Sequence, residues 1–228
     1  MGGIRGVLLD LDGTLIDHRT AADLAALEWA QRLRVPVDGR PAERWRTLEE
    51  RFYPLFERGQ CSLVEQRRLR VRAFAADLAD LTDAEADALF DSYLMLYRAN
   101  WSAFPGAAEL IDRALAAGCR VGVLTNGQEA QQAEKLAATG LKRSELRLFA
   151  SSVLGCAKPA ARAFALACAG MGTLPAETVM VGDDANNDVV GARVAGLRAI
   201  HVSHDAAGVA GGALRSLREV ADTLFGAV

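Results

Sequence analysis

Three observations in the sequence predict an α/β fold: a doubly wound parallel sheet interrupted by an all-helical insert. Short apolar, β-prone runs alternate with helical patterns of about ten residues from Phe104 onward, which is the signature of βαβ units. A run of the same kind, Ile4 to Leu9, stands alone near the N-terminus. Between them, from Thr20 to about Asn100, apolar residues recur at helical spacing and no convincing strand is present. The core is then expected over residues 1–15 and 101–228, and the helical insert over residues 16–100.

Taken in order, Ile4 to Leu9 reads as a buried parallel strand that ends at Asp10. Leu24, Leu27, Trp29 and Leu33 outline the first insert helix, with Thr20 and Asp23 resembling its N-terminal capping signal. Pro36, Pro41, Gly59 and Leu81-Thr82-Asp83 divide the insert into four helices. Beyond Pro105-Gly106 the pattern predicts a helix over Ala107 to Ala117 and a strand over Cys119 to Leu124. A helix over Gln128 to Ala138 and a strand over Arg147 to Ser152 follow. Then come a helix over Ala160 to Met171, a strand over Thr178 to Val181 and a helix over Ala185 to Ala195. A last strand over Arg198 to Val202 and a last helix over Leu214 to Phe225 complete the Rossmann-like order. Gly208 to Gly212 reads as a flexible, glycine-rich loop.

Composition narrows the function classes. The chain has 228 residues, with 29 acidic against 26 basic ones, and that near-balance argues against a nucleic-acid partner. No stretch approaches the roughly 20 apolar residues of a membrane span. The apolar run before Asp10 is too short for a signal peptide. Cys61, Cys119, Cys156 and Cys168 are scattered and show neither CxxC nor zinc-ligand spacing, so reduced thiols in a cytoplasmic protein are expected. Monomer and homodimer are equally compatible with the sequence.

Four segments carry chemistry: Asp10-Leu11-Asp12-Gly13-Thr14 after the first strand, Thr125-Asn126-Gly127 after the second, Lys158-Pro159 before a helix, and Gly182-Asp183-Asp184 with Asn187-Asp188 after a later strand. Taken singly, each is an ordinary turn or capping signal. In an open α/β sheet, however, ligands sit beyond the carboxyl ends of the strands, where Asp10, Thr125 and Asp183 all fall. Two carboxylates 4 Å apart repel by roughly 4 kcal/mol at an effective dielectric near 20. Asp10, Asp12, Asp183 and Asp188 together therefore call for a cation, and oxygen-only ligands select a hard ion such as Mg²⁺. Lys158 can neutralise further negative charge. Thr125 and Asn126 offer neutral donors to phosphate oxygens, and Gly13 and Gly127 let backbone N–H groups approach an anion. In those roles Asp10 attacks phosphorus, and Asp12 protonates the leaving oxygen and then activates water.

These residues resemble the haloacid dehalogenase superfamily. Asp10 to Leu15 is similar to its DxDGT motif, Thr125-Asn126 to its second motif, Lys158-Pro159 to its third, and Gly182-Asp183 through Asp188 to its GDxxxxD motif. The resemblance covers about residues 1–15 and 101–203. It implies a Mg²⁺-dependent phosphatase, phosphoglycolate-phosphatase-like, with a small helical cap at the insert. It further implies an aspartyl-phosphate at Asp10, an acid/base at Asp12, and a phosphate-binding loop that includes Gly13 and Thr14. The metal would be held by the Asp10 side chain, the Asp12 carbonyl and Asp183, with Asp188 assisting. Asp12 is absent from the dehalogenases of that superfamily, so its presence favours phosphoester hydrolysis. The partner is then a small phosphorylated metabolite: a sugar phosphate, phosphoglycolate or a nucleotide. A phosphomutase or phosphotransferase keeps the same motifs and is the alternative. A receiver-type binding module is disfavoured because its phospho-acceptor follows a middle strand.

Other residues are set aside. Asp184, serine in many relatives, reads as a helix cap. His18 reads as a partly exposed loop residue, and His201 and His204 as surface residues at the end of the last strand. Trp29, Trp45 and Trp101 read as core. Gln66-Arg67-Arg68-Leu69-Arg70 reads as a solvated helix face. Arg46 and Arg51 are candidates for gripping a substrate anion.

Overall fold

The computed structural model describes residues 3–34, 36–37, 39–204 and 212–226. Of the glycine-rich loop expected at Gly208, residues 208–211 lie outside the described residues. The chain divides into two compact units, Met1–Asp17 with Ser102–Val228, and His18–Trp101.

The first unit is built on five parallel strands: β1 (Gly6–Leu9), β2 (Arg120–Thr125), β3 (Arg147–Ala150), β4 (Thr178–Gly182) and β5 (Arg198–His201). Their order is β3-β2-β1-β4-β5, so β1 is central and the chain winds outward in both directions. The order is doubly wound, as the alternation of elements predicts. Strand period dictates the two faces. Val7 and Leu9 of β1, Val121 and Val123 of β2, and Val179 and Val181 of β4 enter one core cluster. It is covered by α5 (Ala107–Ala116) and α10 (Leu217–Phe225), with Leu136 of α6 (Glu129–Ala138). Leu8, Leu124 and Met180 point to the opposite cluster, under α8 (Ala161–Met171) and α9 (Gly191–Val194). Each such fully buried side chain contributes about 1.5–3 kcal/mol.

Boundaries shift where tertiary bonds intervene. β3 stops at Ala150 instead of Ser152, and Ser151–Leu154 forms a short helix, α7. The freed hydroxyls cap the start of α6: Ser151 Oγ accepts from Gly127 N at 3.0 Å and Ser152 Oγ from Glu129 N at 3.1 Å. The helix expected over Ala185 to Ala195 opens as a wider π turn, Ala185–Val190, before α9. α10 begins at Leu217 because Leu214 is still bonded to β5, accepting from Ser203 N and donating to His201 O.

The second unit is a ring of four helices, α1 (His18–Leu33), α2 (Pro41–Glu57), α3 (Leu63–Phe74) and α4 (Asp83–Ala99), each packed on its neighbours, with a 3₁₀ turn at Ala76–Leu78. α1 starts at His18, so Thr20 lies inside it and does not cap it. The caps are instead two capping boxes, Ser62 with Glu65 on α3 and Thr82 with Glu85 on α4. The buried face of α1 is an alanine stripe with Trp29, whereas Leu24 and Leu27 are exposed. Trp29, Trp45, Phe74, Phe90 and Tyr93 form a connected aromatic core, with Trp29 and Trp45 centroids 5.1 Å apart. All three tryptophans and all three tyrosines of the chain belong to this unit.

The arginine stretch of α3 is not simply a solvated face. Arg70 is 4% exposed, lies 4.3 Å over the Trp45 ring and pairs with Glu49. Arg68 pairs with Asp83 and Asp87. Arg46 pairs with Asp23 at 3.2 Å, and Arg51 lies over the Phe52 ring. Among the described residues no helix is long and apolar enough to cross a membrane.

Candidate active site

The carboxyl ends of β1 and β4 bring the first and fourth segments together. Asp10 N donates to Val181 O, which carries the side chain of Asp10 to the end of the central strand, where it is buried. Lys158 Nζ, 4% exposed, donates to Asp10 Oδ1 at 2.5 Å and to Asp188 Oδ1 at 2.7 Å. Asp183 completes the group, and carboxylate oxygens of Asp10, Asp183 and Asp188 all lie within 4.8 Å of one another. Asp10 Oδ2 is buried without a hydrogen-bond partner.

Three carboxylates facing one ammonium leave the cluster short of positive charge. Burial first, and then the charge of Asp10, push the Asp183 and Asp188 carboxyls up to about 7. Burial opposes the charge of Lys158, but Asp10 and Asp188 outweigh it and raise the ammonium above its ordinary range. The orphaned Asp10 oxygen, the oxygen-only donors and the excess negative charge fit a hard divalent cation.

The loop after β1 is held by reciprocal bonds. Thr14 Oγ1 donates to Asp183 Oδ1 at 2.9 Å and accepts from Asp183 N at 3.0 Å. Gly13 has φ +94°, and a Cβ there would overlap the Asp183 carboxylate. Gly13→Ala is therefore expected to lower stability by about 2 kcal/mol or more and to displace Asp183. A thermal melt together with an aryl phosphate assay checks this, and an unchanged melting temperature would contradict it.

The structure corrects several expected roles. Thr14 is fully buried and its hydroxyl is spent on Asp183, not offered to a ligand. Asn126, expected as a phosphate donor, uses both ends of its amide on the Lys158 backbone: Nδ2 donates to Lys158 O at 2.9 Å, and Oδ1 accepts from Lys158 N at 2.8 Å. It positions the lysine. The Gly127 N–H, expected to meet an anion, donates to Ser151. The Asp12 carboxylate lies outside the three-carboxylate group and is gripped by α6, with Lys135 Nζ at 2.6 Å and Gln132 Nε2 at 2.8 Å. Gln132 Nε2 also donates to Thr125 Oγ1 at 2.8 Å. Asp184 caps the π turn, accepting from Asn186 N and Asn187 N.

Four residues at the site are absent from the expectation. His201 Nε2 donates to Asp183 O at 2.9 Å, and His204 Nε2 to Thr14 O at 3.0 Å. A carbonyl only accepts, so Nε2 carries the hydrogen in both rings. Expected at the surface, both histidines are half-buried, and His204 stacks on Phe104 at 3.6 Å. The pairing of Gly182 with His201 across β4 and β5 brings the histidine there. Gln132 and Lys135 are the other two, a polar pair three apart beside Leu136 on the buried face of α6.

A family model described as haloacid dehalogenase-like hydrolase matches residues 4–196. Phosphoserine phosphatase of Thermus thermophilus is 37% identical over 105 residues, which span 46% of this chain and 42% of that protein. Phosphoglycolate phosphatase of Caulobacter vibrioides is 31% identical over 204 residues, 86% of this chain and 78% of that protein. Among solved structures, the HAD-hydrolase YfnB of Bacillus subtilis, crystallised with magnesium, matches with a TM-score of 0.81 at 23% identity, over 98% of this chain and 99% of that one. That likeness is one of fold.

Proposed function

The chain belongs to the haloacid dehalogenase-like hydrolase family, and from that membership and its site we propose a magnesium-dependent phosphatase that cleaves a small phosphomonoester through a phosphorylated Asp10. The observation that carries the proposal is Asp10 itself. It is buried, fixed at one oxygen by Lys158 and left with the other oxygen unpartnered, beside two further carboxylates. The enzyme class is phosphoric monoester hydrolase. Substrates of the kind its relatives are named for, phosphoglycolate and phosphoserine, are the first to try.

In this mechanism one carboxylate oxygen of Asp10 attacks phosphorus, and the bond to the ester oxygen breaks. Asp12 gives that leaving oxygen a proton. It then takes a proton from the water that attacks the acyl phosphate, releasing inorganic phosphate and restoring Asp10. Lys158 holds the nucleophile in place and faces the transferring group with positive charge. Thr125 donates its hydroxyl hydrogen to a phosphate oxygen. Asp10, Asp183 and the Asp12 carbonyl, with Asp188 assisting, would hold a magnesium ion, which would supply electrostatic stabilisation of the phosphoryl group. We assign substrate selection to the helical unit, as a cap. The four cysteines, none in a disulfide, suit a cytoplasmic enzyme.

Hydrolysis of p-nitrophenyl phosphate, assayed with magnesium and with a chelator, tests the reading. Turnover should require the metal, and turnover that survives chelation would sink it. The carboxyl shifts add a pH signature. In the metal-free protein the raised Asp183 and Asp188 values favour the fold at pH below the ordinary aspartate range, and that contribution is lost as pH rises through about 7. Magnesium displaces protons from the same oxygens, so saturating magnesium should raise the melting temperature more at pH 8 than at pH 5.5. An equal rise at both pH values would argue against binding at these groups.

A further inference from the structure

We propose that Gln132 and Lys135 are positioning residues of the reaction, acting through Asp12 and Thr125. This rests on the phosphatase reading above, in which Asp12 exchanges protons with the leaving oxygen and with water. Both side chains project from one face of α6, three residues apart, where a helix presents neighbours. Both are 3% exposed, and Gln132 Oε1 is buried without a hydrogen-bond partner, a burial that is unfavourable for the fold. A residue serving the fold alone at these positions would be apolar, as Leu136 beside them is.

The bonds they make are directed at the chemistry. Lys135 Nζ donates to Asp12 Oδ1 at 2.6 Å and Gln132 Nε2 donates to Asp12 Oδ2 at 2.8 Å. Held at both oxygens, the carboxylate cannot rotate without breaking a bond. The same Nε2 donates to Thr125 Oγ1 at 2.8 Å, at the carboxyl end of β2. A hydroxyl that accepts on that side sends its own hydrogen elsewhere, so Gln132 makes Thr125 a donor for a ligand oxygen. One amide group thus sets both the acid/base and a phosphate donor, and Lys135 reinforces the first. The two residues also bind β1 and β2 into one site across more than a hundred residues of chain.

Because a positioning role acts through leaving-group protonation, it is visible in leaving-group dependence. The substrates are phenyl, 4-nitrophenyl and 2,4-dinitrophenyl phosphate, whose departing phenolates need progressively less help from a proton. For Lys135→Met, kcat/KM with phenyl phosphate, which reports the step in which the leaving group departs, should fall by about 30-fold or more, at least tenfold more than with the dinitrophenyl ester. Lys135→Arg should recover part of the loss. Gln132→Leu should show the same tilt plus a loss common to all three esters, because the Thr125 donor is released as well. In an Asp12→Ala background Lys135→Met should add no further tilt.

Losses in kcat/KM equal across the three esters in both Lys135→Met and Gln132→Leu, as a folding defect would give, overturn the proposal and leave the phosphatase reading standing. Turnover of these esters by Asp10→Asn at the wild-type rate overturns that reading, and the proposal with it.

Discussion

Asp10→Asn is expected to lower magnesium-dependent turnover of p-nitrophenyl phosphate by at least about 10³-fold while the protein stays folded. An amide nitrogen or oxygen cannot form the acyl phosphate, so the variant lacks the nucleophile of this route. The fold should not suffer, for a reason particular to this cluster. Lys158 bonds only Asp10 and Asp188 of the three carboxylates, and removing the Asp10 charge relieves the repulsion that, after burial, helps push the Asp183 and Asp188 carboxyls up to about 7. The amide oxygen of the variant can still accept from Lys158 Nζ, where the Asp10 oxygen stands at 2.5 Å. The melting temperature without metal is therefore expected to hold or to rise. Incubation with ³²P-labelled substrate and acid quenching should leave label on the wild type and none on the variant. A variant that keeps a tenth of the activity would remove Asp10 as nucleophile.

Lys158→Met has the opposite signature, with loss of both activity and stability. The stem keeps its volume, but Asp10 and Asp188 lose the cation that bonds each of them, at 2.5 and 2.7 Å. Removing one partner from a buried ionic set costs about 3–5 kcal/mol, because the remaining charges stay out of water. At this chain length that corresponds to a fall of roughly 6–20 °C in melting temperature at pH 8. The fall should be smaller at pH 6, where raised carboxyls take up protons and shed the charge that would otherwise be unpaired. Magnesium should recover part of the stability at pH 8, since it supplies positive charge to the same oxygens. Turnover should stay at least about 10²-fold below wild type with magnesium present, because the phosphoryl group loses a fixed cation. A melting temperature at pH 8 within a degree or two of wild type would show that the lysine is not what balances the cluster.

What the sequence made legible follows from where local pattern and topology agree. The apolar runs of β1, β2 and β4 announce buried parallel strands, and a doubly wound order sends their carboxyl ends to one place, so topology alone groups Asp10, Thr125 and Asp183. Asp184 as a cap was legible because capping is local. The misses are long-range. His201 reaches Asp183 only because β5 pairs with β4, which no local pattern encodes. Lys135 and Gln132 carry no sequence signal of a role, because the group they bond, Asp12, lies more than a hundred residues earlier. Arg70 reads as solvated because its partner surface is an aromatic ring on another helix. On α1 the leucines drew attention as a core face. The alanines are what let α1 sit close to α2 and α4, and Leu24 and Leu27 are turned outward.

The aromatic core of the helical unit has an optical consequence. Every tryptophan and tyrosine of the chain lies between His18 and Trp101, so the α/β unit contributes almost nothing to absorbance near 280 nm or to intrinsic emission. Tryptophan fluorescence is thus a label-free reporter of the helical unit alone, while far-ultraviolet dichroism sums both units. Denaturation of one sample followed by both probes separates a single cooperative transition, in which the curves coincide, from stepwise loss of the two units, in which they part.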